Sequence, residues 1–258
     1  MLGILKPQIS LGPSVIVLFT DFGSQDPYVG QVKARLLEAA PAQQVVDLLH
    51  EAPAYNAHAS AHLLAAFAPT FPAGTVFLAV VDPGVGTARD AIVMLSGGQW
   101  FVGPDNGLMS IVAARHREAR VWRITWQPPM LSATFHGRDL LALIAAEIAR
   151  GDFPTDKLIE MAKINVVFDS EDLSRVIYLD HFGNAWTGMR GIAIPHSARI
   201  TVKNIDFKHS ESFGFVKRGE GFWFVNSVGL IELAVNRGNA AQQFGLAIDD
   251  PVQVQLPR

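Results

Sequence analysis

Thr75-Val76-Phe77-Leu78-Ala79-Val80-Val81, followed at once by Asp82-Pro83-Gly84-Val85-Gly86-Thr87-Ala88-Arg89, decides how this chain folds. The first stretch is an uncharged run of β-branched, aliphatic and aromatic residues, the pattern of a buried strand. A proline and two glycines then force an irregular loop. A carboxylate is thereby set at the C-terminal end of a core strand, with an arginine a few residues later. Open α/β sheets bind ligands at that edge. The Asp–Arg couple has two readings, a ligand-facing pair or an ion pair that pins the turn.

Working outward, strand-like and helix-like segments alternate. Residues 14–19 read as a strand that ends at Thr20-Asp21-Phe22-Gly23-Ser24. Residues 27–40 read as a helix with Pro27 in its first turn. A second strand is expected over 44–49 and an alanine-rich helix over 56–68, closed by Pro69. Residues 91–96 and 100–102 suggest a hairpin around Gly97-Gly98. Helices over 107–114 and 139–150 flank a strand over 120–125. Such alternation predicts a largely parallel sheet with helices on its faces. After about Phe168 the helical periodicity stops. Short strands follow over 175–179, 198–202, 221–226, 230–235 and 252–256, separated by Gly, Asn and Asp, as in a small barrel or sandwich. The polar stretch 168–172 marks the boundary between the two patterns.

Composition narrows the function classes. Of 258 residues, 49% are hydrophobic and only 17% charged, against a usual ~25% charged, so a sizeable core is expected. The net charge of −3, with no basic block, gives no reason to expect a nucleic-acid partner. The absence of cysteine excludes disulfides and thiolate chemistry. The mildly apolar stretch 2–17 is interrupted by Lys6, Pro7, Gly12 and Pro13, and suits neither a membrane span nor a signal peptide. The expectation is a soluble, cytoplasmic protein.

Three loops of the first half carry polar groups. Asp21 and Asp26 follow the first strand, Asp82 and Arg89 the third, and Thr134-Phe135-His136-Gly137-Arg138-Asp139 precedes the last helix. Loops at one sheet edge converge in space, so Asp82, Arg89 and His136 are candidates for one ionic cluster able to orient a water. The plainer alternative makes Asp139 a helix N-cap and His136 an ordinary loop histidine. In the second half, Asp180-His181-Phe182-Gly183-Asn184-Ala185-Trp186 and Val225-Asn226-Ser227-Val228-Gly229-Leu230-Ile231-Glu232 combine amide and aromatic side chains suited to a purine. Both also read as ordinary turns. His58 and His62, spaced i, i+4, read better as helix-surface residues than as a zinc site. Gly84-x-Gly86 lacks the third glycine of a dinucleotide fingerprint, and no Gly-x-Ser-x-Gly elbow is present.

Six motifs occur in order: Thr20-Asp21-Phe22-Gly23, Val81-Asp82-Pro83-Gly84-Val85-Gly86-Thr87, Gly103-Pro104-Asp105-Asn106-Gly107-Leu108, Thr134 to Asp139, Asp180-x-Phe182-Gly183-Asn184, and Asn226-Ser227-x-Gly229. Together they resemble the S-adenosyl-L-methionine (SAM) hydrolase family, also called SAM hydroxide adenosyltransferases, relatives of the bacterial fluorinase and chlorinase. The resemblance runs from about Val15 onward. It implies an N-terminal Rossmann-like three-layer α/β domain over 14–168, a small C-terminal β-barrel over 173–258, and a homotrimer with its site between subunits. The implied reaction is attack of activated water at ribose C5′, giving adenosine and L-methionine without a cofactor or metal. The resemblance places the catalytic set on Asp82, Arg89 and His136 and the ribose contact on Asp21, with Asp26, Tyr55 and Phe135 in the same substrate-binding set. It sets Asn184, Val235 and Arg237 at the adenine, Trp186 and Phe213 around the base, and Asp180, Ser227 and Glu232 at the methionine end.

Departures from the halogenating relatives are informative. Those enzymes carry an aromatic residue in place of Asp82 and a Tyr-Ser pair in place of His136-Gly137. A carboxylate repels a halide but favours a polarised water, so the chain points to hydrolysis. The rival expectations are a SAM- or adenosine-binding module with little turnover, and a metal-dependent phosphohydrolase built on Asp21, Asp26 and Asp82.

Overall fold

A computed structural model describes residues 15–116 and 118–256. The expected strand start at Ser14, most of the apolar stretch 2–17 and the last two residues lie outside them. The chain forms two compact units that divide between Ser170 and Glu171.

The first unit carries β1 (Ile16–Thr20), α1 (Pro27–Ala39), β2 (Val45–Leu49), α2 (Ala57–Phe67), β3 (Val76–Val80), β4 (Ala91–Ser96), β5 (Gln99–Pro104), α3 (Ser110–Arg115), β6 (Arg120–Ile124), α4 (Ala142–Ala149) and β7 (Leu158–Met161). They make one seven-stranded sheet in the order β2-β1-β3-β5-β4-β6-β7. β1 and β3 are buried along their whole length. Side chains alternate across a strand, and Ile16, Leu18, Val76, Leu78 and Val80 join Val32 and Leu36 of α1 and Ile144 and Ile148 of α4 in one core. Val17, Phe19 and Phe77 are buried as well, and Phe77 stacks on Phe101 with ring centres 4.9 Å apart. Asn56 caps α2 by accepting the Ala59 N–H at 3.0 Å.

The sheet is mixed rather than largely parallel. β2, β1, β3 and β5 pair in parallel, but β4 opposes β5 and β6, and β6 opposes β7. The physical reason is the hairpin at Gly97-Gly98, which folds β4 back into the sheet as a reversed strand. The last helix also differs from expectation. It opens with a π-helical turn over Gly137–Leu141, so Asp139 is not its N-cap. Asp139 instead accepts the Ser132 N–H at 2.9 Å and pairs with Arg138. Extra turns of this kind are frequent at functional sites.

The second unit contains β8 (Leu173–Leu179), β9 (Ala185–Arg190), β10 (Arg199–Val202), β11 (Ile205–His209), β12 (Gly221–Val225), β13 (Leu230–Val235), α5 (Ala240–Phe244) and β14 (Val252–Gln255). The strand order is β14-β10-β11-β12-β13-β9-β8. An antiparallel bridge between Arg175 and Pro251 brings the two edge strands together, so the sheet is nearly closed. Val176, Ile200, Phe207, Trp223, Ile231 and Leu233 fill its interior. Among the described residues, no helix is long and apolar enough to cross a membrane.

Candidate active site

In the first unit, β2 and β3 lie on opposite sides of β1. The chain leaving β1 runs to β2 on one side, and the chain leaving β3 runs to β4 and β5 on the other, so the two diverge and open a crevice at the C-terminal ends of β1 and β3. Asp21 directly follows β1, and Asp82 comes two residues after β3. The 20–24 loop is sewn to the 50–55 segment. Gly23 N–H donates to the His50 carbonyl at 2.8 Å, Ala52 N–H to the Thr20 carbonyl at 3.1 Å, and Ser24 N–H to Glu51 Oε1 at 2.7 Å. Tyr55, held in the left-handed region at φ 60°, donates its N–H to Asp21 Oδ2 at 3.1 Å. Burial pushes the Asp21 carboxyl above the usual range, against the Tyr55 N–H and with help from the Asp82 charge.

Asp82 and Arg89 form a two-point pair. Arg89 Nε donates to Asp82 Oδ1 at 2.7 Å and Nη2 to Oδ2, while Nη1 donates to the Asp90 carbonyl at 3.0 Å. Their side chains are 5% and 11% exposed, so the pair is desolvated. Asn106 supports the strand end from the adjoining loop, donating Nδ2–H to the Val81 carbonyl at 2.8 Å. Gly86 has φ 78°, and a Cβ there would come 2.4 Å from the Ala133 carbonyl oxygen. Only glycine lets the Asp82 loop lie this close to the loop that carries His136.

His136 precedes the π-helical turn and is partly exposed. Burial, then the Arg89 charge, hold its imidazole below the ordinary range, against Asp82 and Asp139. The neutral ring is thus favoured, with a lone pair available to accept a proton. Asp21, Asp26, Tyr55, Asp82, Phe135 and His136 all line one cavity of about 470 Å³. Arg89 reaches that cavity through Asp82. Phe22 and Tyr28, which sequence reasoning did not single out, add an aromatic wall with Phe135 at ring separations of 5.8 and 5.6 Å. The signal for Phe22 lay inside the Thr20–Gly23 motif.

The second unit has its own cavity, about 520 Å³, lined by Asp180, Asn184, Trp186, Phe213, Ser227, Glu232, Val235 and Arg237 together with Phe182, Phe224 and Asn226. The turn reading and the ligand reading of its two motifs are compatible. Asp180 Oδ1 accepts the N–H groups of Phe182 and Asn184 at 2.9 and 2.8 Å, and Oδ2 accepts Asn184 Nδ2–H at 3.0 Å. Asn226 Oδ1 accepts the N–H groups of Val228 and Leu230 at 3.2 and 3.0 Å. A Cβ on Gly183, at φ 80°, would collide with Asn239 at 2.1 Å, so the first turn is seated against the start of α5. Phe213 stacks edge-on against Phe222 and Phe224. Glu232 is buried, and burial raises its carboxyl to about 7.

The histidine pair of α2 is not a surface pair. His62 is buried, and His58 stacks on Phe168 at 4.5 Å. Among the described residues, no group of three or more acidic or histidine side chains is arranged to hold a metal ion.

The sequence models of the SAM hydroxide adenosyltransferase N-terminal and C-terminal domains match residues 16–158 and 174–253. An (R)-S-adenosyl-L-methionine hydrolase from Thermus thermophilus is 35% identical, across 93% of this chain and 98% of its own. A fluorinase from an Actinoplanes species is more distant, at 25% identity over 91% of this chain and 95% of its own. The crystal structure of an uncharacterized conserved protein from Thermotoga maritima superimposes with a TM-score of 0.83 at 32% identity, covering 93% of this chain and all of that one.

Proposed function

This chain belongs to the SAM hydroxide adenosyltransferase family, and from that premise we infer that it hydrolyses S-adenosyl-L-methionine to adenosine and L-methionine. The observation that carries the reading is the Asp82–Arg89 pair beside His136, around a cavity that also holds Asp21. A sulfonium leaves readily, so no acid is needed for the leaving group. The protein's task is to align one water with the C5′–S bond and exclude others. In our reading Asp82 and His136 orient that water, and one of them takes its proton as oxygen bonds to C5′. The C–S electron pair departs with methionine. Arg89 holds Asp82 in place and offsets the hydroxide-like charge.

We assign Asp21 to the ribose hydroxyls, with Asp26, Tyr55 and Phe135 completing that end. Asn184, Val235 and Arg237 take the adenine edge, Trp186 and Phe213 its faces, and Asp180, Ser227 and Glu232 the methionine. The working form is a homotrimer in the cytoplasm, with the substrate between the 14–168 domain of one subunit and the 173–258 domain of the next. Support comes from the division of ligand-type side chains between two cavities, one on each unit. A Rossmann-like origin of the first domain is supported by the parallel β2-β1-β3 order. The reaction calls for no cofactor. A binding module without turnover would need Asp21, Asn184 and the aromatics, but not Asp82, Arg89 and His136 together.

The test is incubation with SAM and a chelator in water enriched in heavy oxygen. Adenosine labelled at its 5′-oxygen and unlabelled methionine are expected. Methylthioadenosine as the main product, or loss of activity to the chelator, would overturn the reading.

A further inference from the structure

The cavity of the second unit holds two carboxyl groups that the reaction uses neither as base nor as acid. Asp180 is a well-satisfied carboxylate, with two backbone N–H groups and one amide donating to it. Glu232 differs. It lies on β13, opposite Phe224 of β12 and Trp186 of β9, and is only 4% exposed. Asn226 spends its Oδ1 on the Val228 and Leu230 N–H groups, which fixes the amide and turns Nδ2 toward Glu232 Oε2 at 3.2 Å. The groups donating to Glu232 are thus neutral amides, from Asn226 and Asn184. The charged group acting on it is Asp180, from the turn between β8 and β9, and its sign is repulsive. Arg237, after β13, lines the same cavity but makes no ion pair with Glu232. The facing residues of β9 and β12 are uncharged. A buried carboxyl beside a carboxylate holds its proton to higher pH than a free one.

We propose that Glu232 selects ligands with a cationic amino-acid end, releasing its carboxyl proton to solvent when an ammonium group docks beside Asp180. The inference rests on the reading that this cavity takes the methionine half of SAM. The O–H bond of Glu232 breaks, the proton leaves, and the ammonium keeps all its hydrogens. One positive charge enters as another departs, so docking of the ammonium adds no net charge to the buried pocket. A ligand without the ammonium does not drive this release.

The probe is S-adenosyl-L-homocysteine, which has the ammonium but a sulfide in place of the reactive sulfonium. Titration calorimetry on the full chain at pH 7, in buffers of different protonation enthalpy, counts protons released. Burial holds the Glu232 carboxyl up, at about 7, so part of the free protein carries this proton at pH 7 and a fractional release per site is expected. Adenosine is expected to release almost none. Glu232→Gln is expected to bind S-adenosyl-L-homocysteine without release, and its binding of adenosine reports that the variant is folded. Binding with a buffer-independent heat in the unmodified protein, or equal release in Glu232→Gln, overturns the proton step alone. Failure of both adenosyl ligands to bind refutes the assignment of the cavity on which the step rests.

Discussion

Replacing Arg89 by methionine separates a structural pin from a catalytic pair. The substitution keeps an unbranched, apolar stem but removes both guanidinium hydrogen bonds to the Asp82 carboxylate. The Asp82 side chain is 5% exposed and accepts two donors from this one side chain. A buried carboxylate stripped of its partner costs about 3–5 kcal/mol, because its desolvation is no longer offset. For a chain of this size ~1 kcal/mol moves the melting temperature by roughly 2–4 °C, so a fall on the order of 10 °C is expected. Arg89→Met combined with Asp82→Asn removes the stranded charge and should recover most of that loss. Turnover should not recover, because the water then lacks both its acceptor and the adjacent positive charge. The assays are thermal unfolding and adenosine formation on the single and double variants. A double variant that hydrolyses SAM within tenfold of the unmodified protein would reduce the pair to a turn pin. A single variant that melts within 2 °C of it would refute the burial argument.

Asp82→Ala is expected to abolish adenosine formation while SAM binding stays within roughly tenfold, about 1.4 kcal/mol, by calorimetry; near-normal turnover would remove Asp82 from the mechanism. The acid limb of kcat/KM should lie below the ordinary histidine value, since His136 is shifted down and must lose its proton to accept another. That limb should disappear in His136→Gln, and an unchanged limb would assign it to another group. Sedimentation at micromolar concentration is expected to show a trimer, whereas a fully active monomer would mean that the site closes within one chain. Chloride or fluoride supplied with SAM should not enter the product, and a halogenated nucleoside would contradict the role given to the Asp82 carboxylate.

Local features of the fold are the ones the sequence reveals. The β3 run and the loop after it, the β4–β5 hairpin and β13 over Leu230–Val235 are each marked by a run of apolar residues and a glycine-bearing turn. β9 is hidden because its first residues belong to a motif with strong turn chemistry. Its Gly188 also breaks the alternation, where a Cβ would press on Leu173 at 2.7 Å. β11 carries a usable signal that the sequence reading passed over. Lys203 and Asn204, at φ 50° and 63°, make a two-residue hairpin turn between Val202 and Ile205. Strand direction is not encoded in alternation, which is why the antiparallel placing of β6 and β7 does not show, although the β4–β5 hairpin does. At the site, Asp82 and Arg89 are legible as a pair because they are neighbours in sequence. The support that Asn106 gives Val81 spans twenty-five positions and emerges only once β3 and β5 lie side by side.

The Asp82–Arg89 contact closes within a single loop. The charged half of the proposed chemistry is therefore inherited as one contiguous block of codons. A crossover on either side of that block moves carboxylate and guanidinium together, already matched to each other. His136 travels separately, and Gly86 is what lets the transplanted loop lie close to it.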